Sequence, residues 1–323
     1  MPFLKKMLRV PLALVTAITF AMPAVPQEPT QDQAQGPALK RTVNLVNLFT
    51  TVRDKNKRIV TEMKQEDFKV FEDNEEQKIA FFSKEVTMPI TLGLLIDTSG
   101  SERNRLGAEQ EAASRFMERV MKKGDEAMVI NFDTDVDLLA DFTDDRAQIE
   151  RAINKARIGA VNTGVVTPGT IPSGANSGGT HFYDAVYLAC NDKLVTEAGR
   201  KALVIITDAE DEGSRLRMEE AIESAQRTDT VVHILYVHDF HSGRPDVAHR
   251  MAEDTGGRMI EVSSEKKLNE AFDQISEELR SQYTLGYYPT NTAKDGRFRR
   301  VKVEGANKDY KILTRKGYYA PRN

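Results

Sequence analysis

Two apolar runs that each end at an aspartate constrain the fold of this chain most strongly. Residues 90–96 form a largely apolar run that ends at Asp97, and residues 202–207 form another that ends at Asp208. Such runs are typical of strands that are buried on both faces of a parallel sheet. Because the carboxyl ends of parallel strands meet at one edge, we expect the two aspartates to lie at the same edge.

Helical patterns separate the predicted strands along residues 88–280. Ala108, Ala112 and Phe116 recur at every fourth position, and Thr143-Asp144-Asp145 has the composition of a helix start. Alternation of strands and helices is typical of a sheet that is covered by helices on both faces. The sequence therefore predicts an α/β domain with a doubly wound, mainly parallel sheet.

The two segments that flank this domain have sequence patterns that are typical of short β-strands. Residues 41–86 contain alternating runs such as 68–71, and residues 281–323 contain further candidates at 283–288 and 298–303. A small group of strands buries little apolar surface by itself. We therefore expect residues 41–86 and 281–323 to pack together in one small β module.

The N-terminal residues have the pattern of a secretory signal peptide. Lys5, Lys6 and Arg9 precede a short apolar run from 10 to 21, and small residues and prolines follow it. We assign residues 1–24 to the signal and the Pro- and Gln-rich residues 25–40 to a disordered linker. The expected location is secreted, periplasmic or cell envelope. An uncleaved signal that acts as a membrane anchor is the alternative, and it is the only expected contact with a membrane.

The composition narrows the classes of function further. The chain of 323 residues has a formal net charge of −4 and contains no basic tract, so nucleic acid is not expected as a partner. Cys190 is the only cysteine, which excludes an internal disulfide. It lies in an apolar stretch, and we interpret it as a small buried hydrophobic residue.

Oxygen-bearing side chains cluster at the ends of the predicted strands. Asp97-Thr98-Ser99-Gly100-Ser101 follows the first apolar run, Asp208 follows the second, and Thr180 precedes a predicted helix. Hydroxyl and carboxylate oxygens are the ligands that hard divalent cations prefer. These residues therefore predict a cation site at the carboxyl edge of the sheet.

The five residues 97–101 resemble the metal-ion-dependent adhesion site (MIDAS) motif Asp-x-Ser-x-Ser of von Willebrand factor A domains. The resemblance implies an α/β domain over residues 88–280 and a Mg²⁺ site, with Mn²⁺ or Ca²⁺ as alternatives. It also implies a partner protein that offers an Asp or Glu carboxylate to the metal, and no catalysis. The implied metal-site residues are Asp97, Ser99, Ser101, Thr180 and Asp208.

The order of segments also resembles a family of bacterial exported proteins with a von Willebrand-related domain. Val-Phe-Glu-Asp-Asn at 70–74 and Gln-Tyr-Thr-Leu-Gly-Tyr-Tyr-Pro at 282–289 carry this resemblance. One departure concerns Ala209, which occupies a place where such domains often have glycine. If the turn requires a positive φ, the backbone at Ala209 is strained.

Several other interpretations of the sequence stay open. The protein is alternatively a structural or assembly component of the cell envelope in which the metal site is not essential, or a hydrolase of unrecognised mechanism. Gly-x-Ser-x-Gly and phosphate-loop motifs are absent from the sequence. The charged residues of the predicted helix 102–121 are interpreted as a solvated face, and the uncharged segment 159–179 as a loop that covers or shapes the metal site. Two alternative metal sites stay open. They are a zinc site at His238, His241 and His249 and a calcium loop at Asp133, Asp135 and Asp137.

Overall fold

The computed structural model of the protein describes four ranges of the chain: 45–84, 88–158, 179–237 and 243–322. The predicted signal 1–24, the predicted linker 25–40 and residues 159–178 of the predicted loop lie outside these ranges, as do His238 and His241. Within them, no helix combines the length and the apolar character needed to cross a lipid bilayer.

The described residues form fourteen strands and six α-helices. The strands are β1 (Val46–Arg53), β2 (Phe68–Glu72), β3 (Glu75–Gln77), β4 (Ile79–Ser83), β5 (Ile90–Asp97), β6 (Glu126–Phe132), β7 (Val136–Thr143), β8 (Arg200–Thr207), β9 (Thr230–Val237), β10 (Met259–Val262), β11 (Tyr283–Tyr287), β12 (Phe298–Gly305), β13 (Lys311–Leu313) and β14 (Gly317–Tyr319). The helices are α1 (Leu106–Val120), α2 (Arg146–Ile153), α3 (Phe182–Leu188), α4 (Met218–Arg227), α5 (Pro245–Thr255) and α6 (Glu265–Arg280).

A six-stranded sheet with the order β10-β9-β8-β5-β6-β7 forms the centre of the α/β domain. All neighbouring strands from β10 to β6 are parallel, and β7 pairs with β6 in the antiparallel direction. Strands β5 and β8 are buried on both faces, apart from a half-buried Lys201, as their apolar runs predict. Because β5 and β8 are direct neighbours, Asp97 and Asp208 lie at the same edge of the sheet.

Helices cover both faces of this sheet. Leu94 packs on one face in a core that includes residues of α1, α2 and α6, whereas Leu95 packs on the other face with residues of α3, α4 and α5. Two helix ends show why the sequence folds in this way. The Asp145 carboxylate accepts hydrogen bonds from the first turn of α2, and α5 ends at Gly256, whose φ is 88°.

The flanking segments form a β sandwich of two four-stranded sheets. One sheet has the order β13-β1-β11-β4, and the other has the order β14-β12-β2-β3. Each sheet combines strands from before and after the α/β domain, and an apolar core that includes Leu48, Val70 and Leu285 lies between the sheets. The predicted fold class, an α/β domain with a small β module from both flanks, is therefore confirmed.

Some local features differ from the sequence interpretation. The helix that is predicted to follow Thr180 is α3 followed by a π-helical segment at Ala189–Lys193 and a 3₁₀ turn at Leu194–Thr196. Cys190 is fully buried in the apolar core, as its surroundings in the sequence indicate.

Candidate metal centre

The loop after β5 holds the first three residues of the candidate site. Asp97 is fully buried, and its carboxylate accepts one hydrogen bond from the main-chain N–H of Ser99 at 2.9 Å and another from the Thr207 hydroxyl at 2.7 Å. The hydroxyl oxygens of Ser99 and Ser101 lie 2.9 Å apart. Asp97 is therefore fixed between the ends of β5 and β8, and the two serine hydroxyls lie side by side above it.

Asp208 completes a hydrogen-bonded series across the two strand ends. Its carboxylate is nearly fully buried and accepts a hydrogen bond from the main-chain N–H of Glu210 at 3.0 Å. The Ser101 hydroxyl also donates to Asp208, and this bond partly opposes the rise in the Asp208 pKa that burial causes. Asp97, Ser99, Ser101 and Asp208 are thus linked by hydrogen bonds.

Thr180 joins the same edge through its main chain. Its carbonyl accepts a hydrogen bond from the N–H of Glu212 at 2.9 Å, which ties the start of α3 to the loop after β8. The backbone approach is close, since a Cβ atom at Gly179 would lie 1.9 Å from the Glu212 carbonyl oxygen. On its other side, the N–H of His181 donates to the carbonyl of Asp133 after β6 at 2.7 Å. The threonine is buried and fixed between two loops of the carboxyl edge.

The turn after β8 has a positive φ at Ala209. Ala209 has a φ of 58°, in the left-handed region that favours glycine. Its N–H donates to the hydroxyl of Thr207, and Thr207 in turn donates to Asp97. The strained turn therefore helps to position the oxygen atoms of the candidate site.

Two acidic residues that the sequence interpretation assigned to a solvated helix face are buried beside the site. Glu102 and Glu109 are 0% and 1% exposed, and their two carboxyl groups share a hydrogen bond when one of them is protonated. Arg105 is the neighbouring cation, with 3.9 Å between its Nη1 and a Glu102 oxygen. The seven-residue spacing of Glu102 and Glu109, about two helical turns, is the signal that both lie on one face.

The buried carboxyl groups of the candidate site retain their protons to higher pH than exposed carboxyl groups do. Burial raises the pKa of Asp97 to about 7, against the hydrogen bonds from Thr207 and Ser99, and the charge of Asp208 adds to the rise. Burial also raises the pKa values of Glu102 and Glu109, with repulsion from Asp97 as a further cause. Carboxylates in this situation are stabilised in their charged form when a cation lies nearby.

The donor set fits a hard divalent cation. Hydroxyl and carboxyl oxygens from three segments lie at one edge, and these are the ligands that such a cation prefers. Within the described ranges, no three His, Cys, Asp or Glu side chains are grouped around one point, but the candidate set contains only two carboxylates. The alternative residues Asp133 and Asp135 form a tight turn, in which the N–H of Asp135 donates to the Asp133 carboxylate at 3.0 Å.

Comparison with known families identifies the central domain. Residues 92–210 match the sequence model described as the von Willebrand factor type A domain. The chain contains a von Willebrand factor A domain. All five candidate metal-site residues fall within the matched range of this von Willebrand A domain. No curated protein matches the sequence of the chain significantly.

Solved structures of similar fold agree with this assignment. A von Willebrand factor type A structure from Catenulispora acidiphila is 12% identical, covers 80% of this chain and 74% of its own chain, and has a TM-score of 0.50. Proximal thread matrix protein 1 from the mussel byssus is 14% identical over 65% of this chain and 51% of its own, with a TM-score of 0.50. A second structure of the mussel protein, 15% identical over 63% of this chain and 48% of its own, has the same TM-score and is described with a zinc-occupied MIDAS motif. At these identities the likeness shows the fold of the von Willebrand A domain.

Proposed function

We propose that this protein is an exported binding protein whose von Willebrand A domain holds a divalent cation and binds a carboxylate of a partner protein. Ser99, Ser101 and Thr180 would contact the cation through hydroxyl oxygens, and Asp97 and Asp208 would lie close to it, directly or through water. The observation that carries this proposal is the hydrogen-bonded series from Asp97 to Asp208, next to the buried carboxyl groups of Glu102 and Glu109.

The arrangement of side chains supports binding rather than catalysis. Bound Mg²⁺, or Mn²⁺ or Ca²⁺, supplies a coordination position at which water can yield to a partner carboxylate. Neutral hydroxyls of Ser99, Ser101 and Thr180 leave much of the positive charge for that carboxylate. Asp97 is held by two donors, so the oxygen atoms are ordered before the partner arrives. We therefore propose that the protein is not an enzyme.

The location is part of the same proposal. The signal-like residues 1–24 support export to the cell envelope or beyond it. The mussel byssus protein, whose structure is described with a zinc-occupied MIDAS motif, supports the capacity of this fold to hold a cation at such a motif.

Calorimetric titration of the full chain with MgCl₂ tests the site. We expect saturable binding, and we expect Ser101→Ala and Asp208→Asn each to weaken it at least about 100-fold because each removes a metal-facing oxygen or its charge. Asp144→Asn is the matched control, since Asp144 is exposed and lies outside the candidate site. Absence of Mg²⁺, Mn²⁺ and Ca²⁺ binding by the folded protein, or equal binding by Asp208→Asn, would reject the proposal.

A capture experiment tests the partner carboxylate. The full chain is immobilised and exposed to an envelope extract, with and without EDTA, beside immobilised Asp208→Asn. We expect bound proteins that are lost both in EDTA and from the variant. Capture that is unchanged by EDTA and by the variant favours the alternative of a structural envelope component.

A further inference from the structure

A second candidate binding surface lies between the von Willebrand A domain and the β sandwich. It is a groove with a volume of about 880 Å³. Residues of β10 and α6 line one side, and residues of β12 and β13 line the other. Among the described strands, β10 ends the central sheet and β13 ends one sheet of the sandwich. Two sheet edges therefore border a single groove.

The groove is basic although the whole chain is acidic. Eight of its lining residues are lysine or arginine and four are aspartate or glutamate, whereas the chain carries a formal net charge of −4. Two of the lining arginines, Arg53 and Arg258, form ion pairs with the buried carboxylate of Glu278. Lys57 and Lys311 are exposed among the residues that line it. The other six basic residues of the lining form ion pairs with acidic side chains of the described residues, so Lys57 and Lys311 are the positive charges that the groove offers to an acidic ligand.

The main chain of β13 has the orientation that strand addition requires. The carbonyl of Val52 in β1 accepts a hydrogen bond from the N–H of Val60 and therefore points away from β13. The main-chain groups of its neighbours Thr51 and Arg53 point the opposite way, toward β13. Successive residues of a strand alternate in this direction. The N–H and C=O of Ile312 consequently point away from β1, on the outer edge of the sheet.

The same alternation applies to β10 on the opposite side of the groove. The carbonyl of Arg258 accepts a hydrogen bond from the N–H of Ile234 in β9, so the main-chain groups of Met259 point away from β9. Partly buried apolar side chains, such as Ile260 and Leu313, also line the groove. An extended peptide offers both the backbone groups and the alternating side chains that such a surface binds.

We propose that this groove binds an extended acidic peptide segment of a partner protein, which pairs with the outer edge of β13 or β10 without a divalent cation. The basic lining selects acidic side chains, and the sheet edges select an extended main chain. This surface is distinct from the candidate metal centre, which lies at the carboxyl edge of the central sheet.

The groove is tested by measuring how a fluorescein-labelled peptide of alternating glutamate and valine binds the full chain in EDTA. Fluorescence anisotropy reports the binding. We expect saturable binding that weakens about tenfold or more in the double variant Lys57→Glu/Lys311→Glu, because both side chains are exposed and their charges are reversed. Lys123→Glu, an exposed charge reversal outside the groove, is the matched control and should bind as the unaltered chain does.

A second peptide separates strand addition from attraction between charges. The same sequence with N-methyl groups on alternate residues keeps its charge but loses main-chain donors, so we expect it to bind at least about tenfold more weakly. Equal affinity of the two peptides, equal affinity of the double variant, or a requirement for Mg²⁺ would each overturn the proposal. Asp208→Asn should bind the peptide normally, so failure at the metal centre and failure at the groove are distinguishable.

Discussion

The carboxyl edge of the central sheet and the groove beside the β sandwich differ in the sign of their charge and in their origin. At the edge, buried carboxylates of Asp97, Glu102 and Glu109 crowd together. In the groove, Arg53 and Arg258 share the carboxylate of Glu278. One region thus gathers carboxyl groups that a cation can stabilise in their charged form, and the other presents the exposed Lys57 and Lys311 to an acidic segment.

This difference shows that net charge alone describes the protein poorly. A chain with a formal charge of −4 contains both a cation-binding and an anion-binding candidate surface. The edge combines residues of three segments, two of which follow strands β5 and β8 and one of which precedes helix α3. The groove combines side chains from both the domain and the sandwich, and it exists only when the two are packed together.

Loss of the Glu278 carboxylate, which pairs with two arginines of the groove, should have the largest effect on stability. We expect Glu278→Ala to lower the free energy of unfolding by about 3–5 kcal/mol, because the buried Arg53 and the half-buried Arg258 are then left without their counter-ion. Urea denaturation measures this change. Glu277→Ala, an exposed neighbour in the same helix, is the control. Similar losses of stability in both variants would show that the ion pairs of Glu278 with Arg53 and Arg258 do not stabilise the fold.

Addition of Mg²⁺ should stabilise the protein through the other region. At about a hundredfold excess over the dissociation constant, binding to the folded state adds about 2.7 kcal/mol to the free energy of unfolding. Thermal denaturation with and without EDTA measures the gain, which Asp144→Asn should retain and Asp208→Asn should lose. A gain of the same size in Asp208→Asn would place the cation elsewhere.

In EDTA, the free energy of unfolding should fall as the pH rises from about 4 to beyond 7. The pKa of buried Asp97 is raised from 3.8 to about 7, so the folded state binds a proton that the unfolded state has released, and the stability this gives is lost as Asp97 ionises. The raised pKa values of Glu102 and Glu109 act in the same direction. Urea midpoints across this range provide the measurement. Mg²⁺ and the variant Glu109→Gln should each flatten the slope, and a stability that rises with pH contradicts the expectation.

The smallest expected effect concerns the strained turn of the candidate metal centre. Ala209→Gly should raise the free energy of unfolding by less than about 1 kcal/mol, because glycine tolerates the φ of 58° while the loss of a buried methyl group offsets part of the gain. Ala156→Gly is the matched control, since Ala156 is buried but has no positive φ, and it should destabilise the protein. Destabilisation by both substitutions would indicate that packing outweighs strain at Ala209.

Much of the fold follows from local patterns in the sequence. The apolar runs that end at Asp97 and Asp208 predict buried strands whose ends share one edge of the sheet, and the alternating runs of the flanks predict a small β module. These patterns are informative because burial of a strand on one face or on both has a direct periodic signature. The metal-binding role of the strand-end residues remains a prediction.

Other features depend on packing that no short segment encodes. Glu102 and Glu109 are charged residues near the start of a helix, and only the position of α1 over the sheet edge shows that they are buried. The groove cannot be predicted from the sequence either, because it depends on contacts between distant segments. Arg53 and Glu278, for example, are 225 residues apart. Contacts of this kind arise from topology, and the periodicity of a single element carries no information about them.

The pairing of β11 with both β1 and β4 makes the von Willebrand A domain an insertion within the sandwich. Strands β1 to β4 are synthesised about two hundred residues before β11 to β14, the strands that complete their sheets. During synthesis, the edges of the early strands therefore stay unpaired until the inserted domain and the late strands have been made. Early folding of that domain brings Ser83 and Thr284, which are opposite each other in the sheet, close in space and shortens the effective loop that the late strands must close.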